Sequence, residues 1–223
     1  MVEAWVKPVE SSIRIHLHEA NRIFVGFLFD QRVNTEFAWD AAECITNVLA
    51  YGGIPFWDVI EKIAEARLIG FMRYGWAGYS FHRHPTKMAN HLKGCAKIIN
   101  TKYEGDPRNI WNSTNDVNEV RNRFEELPGI GPALSRMAVL VLVRDYGKFG
   151  GKNSLNKLDV KPDALLKRVF RRTGLVRDNA RFDEYWQSAR KLAQIFPRNL
   201  MLQLGILEEN TANLKTLSAI TVR

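Results

Sequence analysis

The segment EELPGIGPALSRMAVLVLV, from Glu125 to Val143, joins the charged end of one helix to a long apolar helix through a short run of prolines and glycines. Pro128 ends the first helix because its ring and its missing N–H cannot continue the helical hydrogen bonds. Pro132 falls at the first position of the second helix, where a missing N–H costs nothing. Gly129 and Gly131 permit positive φ and leave no side chain in the way of an approaching backbone. The segment predicts two helices joined by a compact hairpin.

This hairpin has the features of a phosphate-binding site. The N–H groups in the first turn of a helix have no partner within the helix, and here they face outward past two glycines. The positive end of the helix dipole adds to their attraction for an anion. A helix–helix turn that binds nothing is the alternative, and the charge distribution favours the phosphate.

The positive charge is concentrated in one part of the chain. The net charge is +8 and the isoelectric point is about 9.6. Residues Arg144 to Arg198 contain 14 lysines and arginines but six aspartates and glutamates, an excess that equals the net charge of the whole chain. A positive face built from one contiguous segment is expected of a protein that contacts a nucleic-acid backbone.

Composition excludes several classes of protein. The chain has 223 residues, of which 46% are hydrophobic, enough for a globular core. Cys44 and Cys95 are the only cysteines, which excludes a disulfide framework, a four-cysteine zinc site and a four-cysteine iron–sulfur cluster. No apolar run reaches the length of a membrane span, and no export signal is present, so we expect a cytoplasmic protein, nucleoid-associated if prokaryotic.

Helical periodicity covers most of the chain. Apolar residues recur at three- and four-residue steps, in residues 39–49, 55–66, 86–100, 117–126, 132–146, 163–173, 182–195 and 199–210. Residues 67–81 are rich in glycine and aromatic side chains and interrupt this pattern. Near the N-terminus apolar residues alternate, from Ile13 to Leu17 and from Ile23 to Phe29, which predicts one or two short strands or an extended arm. We therefore predict a mainly all-α fold with short β strands at the N-terminus.

Two motifs together resemble a known family. The sequence LPGIG before an apolar helix resembles the helix-hairpin-helix of the endonuclease III-type DNA glycosylases. PDALLKRVFRRTGL, from Pro162 to Leu175, is similar to the stretch in which that family's catalytic aspartate opens a helix. FPRNLMLQLGILEEN, from Phe196, is similar to the helix that follows, although the cysteines of many members are missing. More loosely, LIGFMRYGW, from Leu68, is similar to the loop that precedes the pre-hairpin helix, so the resemblance spans about residues 38–210.

The resemblance implies a two-lobed helical fold with a DNA groove between the lobes. Residues 1–36 would form N-terminal strands or an arm that packs on the second lobe. Residues 37–146 would form a helical lobe ending in the helix-hairpin-helix, at about 117–146. Residues 147–223 would contain the loop with the catalytic aspartate and the helices that complete the fold.

The resemblance places Asp163 at the position of the catalytic carboxylate. Excision of a base breaks an N-glycosidic bond through a sugar with oxocarbenium character, which a nearby carboxylate stabilises while it orients a water molecule. The start of a helix favours the ionised form of Asp163. An N-cap that contributes about 1 kcal/mol of stability is the alternative role, and one residue can fill both. Asp159 is the rival carboxylate.

Ala133 indicates which kind of glycosylase this is. In family members that also cleave the strand, the corresponding residue is a lysine that forms a Schiff base with the sugar. The methyl group of Ala133 cannot do so, which implies a monofunctional enzyme. Two alternatives stay open: a bifunctional glycosylase/AP lyase that uses a loop lysine (Lys152, Lys157 or Lys161), and a helix-hairpin-helix protein that binds DNA without chemistry. The sequence leaves the excised base undetermined.

Further residues are assigned to binding. The expected partner is double-stranded DNA with a damaged or mismatched base, bound by a monomer, and no membrane is expected as a partner. The predicted DNA contacts are Leu127, Gly129, Ile130, Gly131, Arg136, Lys161, Lys167, Arg168, Arg171 and Arg172. The candidates for the pocket that receives the flipped base are Trp39, Tyr51, Tyr74 and Trp76.

No cofactor is expected to be required, although the resemblance leaves room for a structural K⁺ or Na⁺ on the hairpin carbonyls. His82 and His84 lie near His91 and Cys95, but their spacing fits no standard zinc site. We interpret these histidines as part of a surface patch and predict no metal site.

Overall fold

The computed structural model describes residues 12–50, 53–75, 78, 80–150, 158 and 164–195. Ten helices and no strands lie in this part of the chain, which confirms the all-α fold class. The helices are α1 (Leu17–Phe29), α2 (Thr35–Leu49), α3 (Phe56–Lys62), α4 (Glu65–Tyr74), α5 (Pro85–Lys102), α6 (Asn109–Asn112), α7 (Val117–Glu125), α8 (Pro132–Tyr146), α9 (Ala164–Arg172) and α10 (Phe182–Ile195). Within these described ranges, no helix is both long enough and apolar enough to cross a membrane.

The chain divides into two compact units. The larger unit is Arg14–Ser135, and the other combines Met1–Ile13 with Arg136–Arg223. The predicted boundaries fall elsewhere, after residues 36 and 146, and as statements about domains they stay predictions.

Helix α1 is the centre of the larger unit. Every residue from Ile23 to Phe29 is buried. The ring of Phe24 meets Trp57 edge-on at 5.2 Å between centroids, and Phe27 meets Phe124 in the same way at 6.0 Å. Because such aromatic pairs bury large apolar areas, this helix organises the packing of the helices around it.

The predicted N-terminal strands are wrong over the residues from Leu17 to Phe29, which form α1. The alternation of Ile23, Val25 and Phe27 suggested a sheet with one buried face. In the structure Phe24 and Leu28, on the other face of that pattern, are fully buried as well. A helix that is buried on all sides loses the 3.6-residue signal, so periodicity alone cannot distinguish it from a strand.

Helix α4 occupies most of the segment in which the sequence pattern was interrupted. Leu68 and Met72, four residues apart, are fully buried and hold the helix against its neighbours. Gly70 lies between them, and a Cβ there would meet nothing within 4 Å. A glycine inside a helix costs about 1 kcal/mol relative to alanine, and the two buried anchors outweigh that cost.

Helices α1 and α2 approach closely at Gly26. A Cβ on Gly26 would lie 2.7 Å from the six-membered ring of Trp39. The same ring meets Phe27 edge-on at 5.8 Å, and the guanidinium of Arg22 lies 5.6 Å from its centroid. The absence of a side chain at Gly26 therefore allows Trp39 to lie against α1.

The second unit has its own small core. Leu166, Val169 and Phe170 of α9 are buried together with Tyr185 and Ala189 of α10. The C-terminal end of α9 has the common glycine C-cap.

In that cap Gly174 takes a φ of +69°. The N–H of Leu175 donates to the carbonyl of Phe170 at 2.9 Å, and the N–H of Gly174 donates to Arg171 at 3.1 Å. The cap ends the helix before the turn that leads to α10, so the basic residues of α9 all lie on one short, well-terminated helix.

Gly26→Ala should lower the free energy of unfolding by about 1–2 kcal/mol, because the clash with Trp39 outweighs the gain in helix propensity. Gly70→Ala is the matched control: the same change in an open helix position should raise it by about 0.5–1 kcal/mol. Urea denaturation of both variants measures the difference, and equal values for the two would contradict the close packing of α1 on α2.

Candidate nucleic-acid interface

The predicted hairpin lies between α7 and α8. The N–H of Leu127 donates to the carbonyl of Phe124 at 3.0 Å, and the N–H of Ile130 donates to the carbonyl of Leu127 at 3.0 Å. Helix α8 then begins at Pro132, as the sequence predicts, with its first hydrogen bond from the N–H of Ser135 to the carbonyl of Gly131 at 3.0 Å. Two consecutive tight turns therefore bring the chain from one helix into the next.

The hairpin leaves backbone donors without acceptors. Among the described residues, the N–H groups of Gly129, Gly131 and Ala133 meet no hydrogen-bond acceptor. Gly131 and Pro132 are exposed. Donors in this position, at the positive end of a helix of 15 residues, can bind an anion such as a phosphate.

The two hairpin glycines have different roles. Gly129 has a φ of +90°, which favours glycine, and a Cβ there would lie 2.8 Å from the ring of His91. Gly131 is outside the positive-φ region, and a Cβ there would meet nothing within 4 Å. The fold therefore requires glycine at position 129, whereas at 131 the missing side chain leaves open space in front of the backbone.

Helix α5 packs against the hairpin. A Cβ on Gly94 would lie 2.8 Å from Cγ of Pro128, so helix and turn are in direct contact. The thiol of Cys95 donates to the carbonyl of Pro128 at 3.3 Å, and burial raises the pKa of that thiol. This role of Gly94 and Cys95 was not predicted from the sequence, although both are small residues one turn after His91, which packs on Gly129.

A polar contact also joins the two helices of the hairpin. The hydroxyl of Ser135 is fully buried and donates to a carboxylate oxygen of Glu125 at 2.7 Å. Leu127 and Ile130, both predicted to contact DNA, have buried side chains. They can therefore offer a ligand their backbone groups but not their side chains.

A cavity of about 440 Å³ opens beside the hairpin. It is lined by Gln31, Lys87, His91, Glu125, Glu126 and residues 127–131. Within the described part of the chain, Nε2 of His91 is a buried atom with no hydrogen-bond partner. Burial lowers the pKa of His91, and the nearby charge of Lys87 lowers it further. His91 is therefore held neutral, with its ring against the hairpin backbone.

The second unit carries a separate basic surface on α9. A groove of about 480 Å³ is lined by four of the predicted DNA-binding side chains and Ala164. Those four side chains are Lys167, Arg168, Arg171 and Arg172. Arg168, Arg171 and Arg172 are exposed, so four positive charges are grouped on one helix of nine residues.

Aromatic residues of α10 position several basic groups of the second unit. The guanidinium of Arg136 lies 3.4 Å from the ring centroid of Trp186, and Nζ of Lys167 lies 4.5 Å from that of Phe182. Nε of Arg171 donates to the hydroxyl of Tyr185 at 2.9 Å. These contacts fix the direction of long side chains while the charges are kept.

Several predicted site residues lie outside the described residues. They are Asp163, Asp159, Lys161, Tyr51 and Trp76. Of the other pocket candidates, Trp39 packs on α1 and Tyr74 is 64% exposed at the end of α4. A role in receiving a base stays a prediction for all four aromatic candidates.

His82 is 1% exposed, so the interpretation of this histidine as part of a surface patch is wrong, and it is a structural residue of the larger unit. Its Nε2 donates to the carbonyl of Gln31 at 3.1 Å, and its Nδ1 accepts from the N–H of His84 at 3.0 Å. Burial lowers the pKa of His82, which agrees with a neutral ring that uses both nitrogens. The described ranges contain no group of three His, Cys, Asp or Glu side chains that could hold a metal ion.

Comparison with known proteins identifies the fold. No protein-family model and no curated protein sequence matches this chain. A trapped covalent intermediate of endonuclease III with DNA, an estranged-adenine complex, has a TM-score of 0.54 and 13% identity, covering 86% of this chain and 72% of that one. A non-covalent endonuclease III–DNA complex has a TM-score of 0.55 and 13% identity, covering 86% and 71%. The likeness supports the endonuclease III-like helical fold that the sequence resemblance implied.

Gly129→Ala should lower the free energy of unfolding by about 2 kcal/mol or more, because the new Cβ meets His91 in a strained backbone conformation. Gly131→Ala is the matched control and should change it by less than about 0.5 kcal/mol, since its Cβ enters open space. Thermal and urea unfolding of the two variants test this. A Gly131→Ala protein as unstable as Gly129→Ala would contradict the different roles of these glycines.

Proposed function

We propose that this protein is a DNA glycosylase of base-excision repair, which hydrolyses the N-glycosidic bond of a damaged or mismatched base. The observation that carries the proposal is the hairpin, where unpaired N–H groups at the start of α8 lie beside the open position of Gly131. This arrangement suits the phosphate of a DNA strand, to which backbone N–H groups and helix N-termini commonly bind.

Two further observations support DNA as the partner. Helix α9 groups four positive charges along one groove, as expected of a surface that neutralises phosphates. Two similar solved structures are complexes of endonuclease III with DNA. We infer that the hairpin and the basic groove of α9 both contact duplex DNA, and that the protein acts as a monomer without a required cofactor.

In the proposed reaction Asp163 is the catalytic carboxylate. As the bond between C1′ and the base nitrogen breaks, the base leaves with the electron pair and the sugar becomes positively charged. The carboxylate stabilises this charge and orients a water molecule whose oxygen forms the new bond to C1′, and the proton that this water loses ends on the departing base. The products are the free base and an abasic site in an intact strand.

Ala133 supports hydrolysis over a covalent route. It lies at the second position of α8, beside the hairpin donors, and is partly buried. One of the similar structures is a trapped covalent intermediate of endonuclease III with DNA. In this chain the methyl group of Ala133 stands where the family resemblance expects the lysine, so no amine is present there to attack the sugar.

Excision should depend on Asp163. A panel of duplexes containing alkylated purines, oxidised guanine, or deaminated or mismatched pyrimidines is incubated with the protein and then cleaved with alkali. We expect nicks with at least one lesion, and Asp163→Asn should slow their formation by several orders of magnitude while duplex binding is retained.

Asp159→Asn is the matched control and should excise at the wild-type rate. Full activity in Asp163→Asn with loss in Asp159→Asn would transfer the role to the rival carboxylate. Tight duplex binding without alkali-dependent nicks on any lesion would favour a DNA-binding protein that performs no chemistry.

Borohydride should trap no covalent adduct between the wild-type protein and a duplex with an excised or abasic site, because hydrolysis forms no Schiff base. Ala133→Lys supplies an amine at the expected position and should gain a trapped adduct, visible as a shifted band on a denaturing gel. A robust adduct with wild type would instead identify a loop lysine as nucleophile and the protein as a glycosylase/AP lyase.

A further inference from the structure

We propose that Arg32, Arg83 and Lys87 form a second phosphate-binding tract, adjoining the hairpin, that contacts the DNA backbone. These three residues are not among the DNA contacts predicted from the sequence, which lie in the hairpin, at Arg136 and in the basic segment after Arg144. The inference rests on the proposed DNA-binding function and extends the surface that serves it.

The structure brings these residues together from two distant parts of the chain. Nη1 of Arg83 donates to the carbonyl of Arg32 at 3.4 Å. The residues just before these two are also in contact, since Nε2 of His82 donates to the carbonyl of Gln31 at 3.1 Å. The segment around residue 32 and the segment before α5 are therefore joined side by side.

The same segments reach the hairpin. Gln31 and Lys87 line the cavity that is also lined by residues 127–131. His91, one turn after Lys87 on α5, packs against Gly129. The tract therefore continues the surface on which the unpaired N–H groups of the hairpin lie, and all of these residues belong to the larger unit.

The three positive charges are available to a ligand. All three residues are exposed, and none forms an ion pair with another described residue. The acidic groups nearby have other partners: Glu126 pairs with Lys102, and Glu125 accepts from Ser135.

Asp30, the acidic residue closest in sequence to Arg32, is also engaged. It is 7% exposed and accepts a hydrogen bond from the hydroxyl of Thr35 at 3.3 Å. An exposed anion therefore meets three positive charges whose neutralisation within the protein is incomplete.

Folding alone gives no reason for this concentration of charge. Lys87 lies in the first turn of α5, and Arg83 lies just before that helix, where the positive end of the helix dipole disfavours cations. The first turn contains no acidic residue, and the N-cap His84 makes no side-chain capping bond. An arrangement that is unfavourable in the isolated protein becomes favourable when an anion is bound.

Arg32 adds a second unfavourable feature. Its φ of +60° places it in the left-handed region, which suits glycine or asparagine better than arginine. Its carbonyl, and not its side chain, makes the contact with Arg83. The guanidinium of Arg32 is thus free of a structural role in that contact and can be directed to a phosphate.

The test is the salt dependence of binding to an unmodified duplex, measured by fluorescence anisotropy with the full chain. Each phosphate neutralised contributes about 0.9 to the slope of log K against log salt concentration, so Arg32→Gln, Arg83→Gln and Lys87→Gln combined should reduce the slope by about 2.7. The matched control combines Arg14→Gln, Arg67→Gln and Lys97→Gln, which removes the same charge from exposed residues of the same unit and should leave the slope near the wild-type value.

A single variant separates the contribution of the Arg32 charge to DNA binding from any effect of this residue on folding. Arg32→Gly keeps the carbonyl that Arg83 contacts and relieves the left-handed strain, so its Tm should equal or exceed that of wild type while its duplex affinity falls. Wild-type affinity in Arg32→Gly would overturn the role of Arg32.

The outcomes distinguish this inference from the function on which it rests. Equal slopes for the two triple variants, with tight duplex binding by wild type, would overturn the tract and leave the proposed function standing. Absence of duplex binding by wild type would overturn both.

Discussion

The contact between α5 and the hairpin is the constraint on which the candidate interface depends. A backbone site for phosphate requires N–H groups held in fixed directions without a side chain to direct them. Here the direction is imposed from behind, where Gly94 lets Pro128 approach the helix and the thiol of Cys95 bonds to the carbonyl of Pro128. The outward face of the hairpin can then remain unpaired, because these contacts hold the turn in place.

The two units offer an anion two kinds of donor. The larger unit presents backbone N–H groups at Gly129, Gly131 and Ala133, whose positions are set by the fold. The second unit presents long side chains on α9, of which Lys167 rests on Phe182 and Arg171 bonds to Tyr185. Backbone donors that the fold sets favour one position of a phosphate, and the aromatic contacts of α10 limit the directions of the side-chain donors on α9.

Local rules predicted the hairpin well and tertiary packing poorly. Proline restricts its own backbone dihedral angles and glycine widens the range of its own. Pro132 therefore predicted the first residue of α8, and Gly129 predicted a positive φ in the turn before that helix. The burial of α1 on all sides arises from neighbours distant in sequence, and its apolar residues were therefore interpreted as strands. The packing of the hairpin on α5 and the contact between Arg83 and Arg32 also join residues that are distant in sequence, and no local sequence pattern reveals such contacts.

At most positions of a binding surface a residue must suit both the folded structure and the ligand. The open space in front of Gly131 separates these two requirements. Because a Cβ there would meet nothing within 4 Å, packing places no restriction on a small side chain at that residue, and a restriction on it would come from what approaches it. A screen that selects only for soluble, folded protein would therefore accept small side chains at this position. The same freedom makes it a suitable attachment point for a fluorophore or cross-linker through an introduced thiol, one that would report the arrival of a ligand at the start of α8 while the packing behind it remains intact.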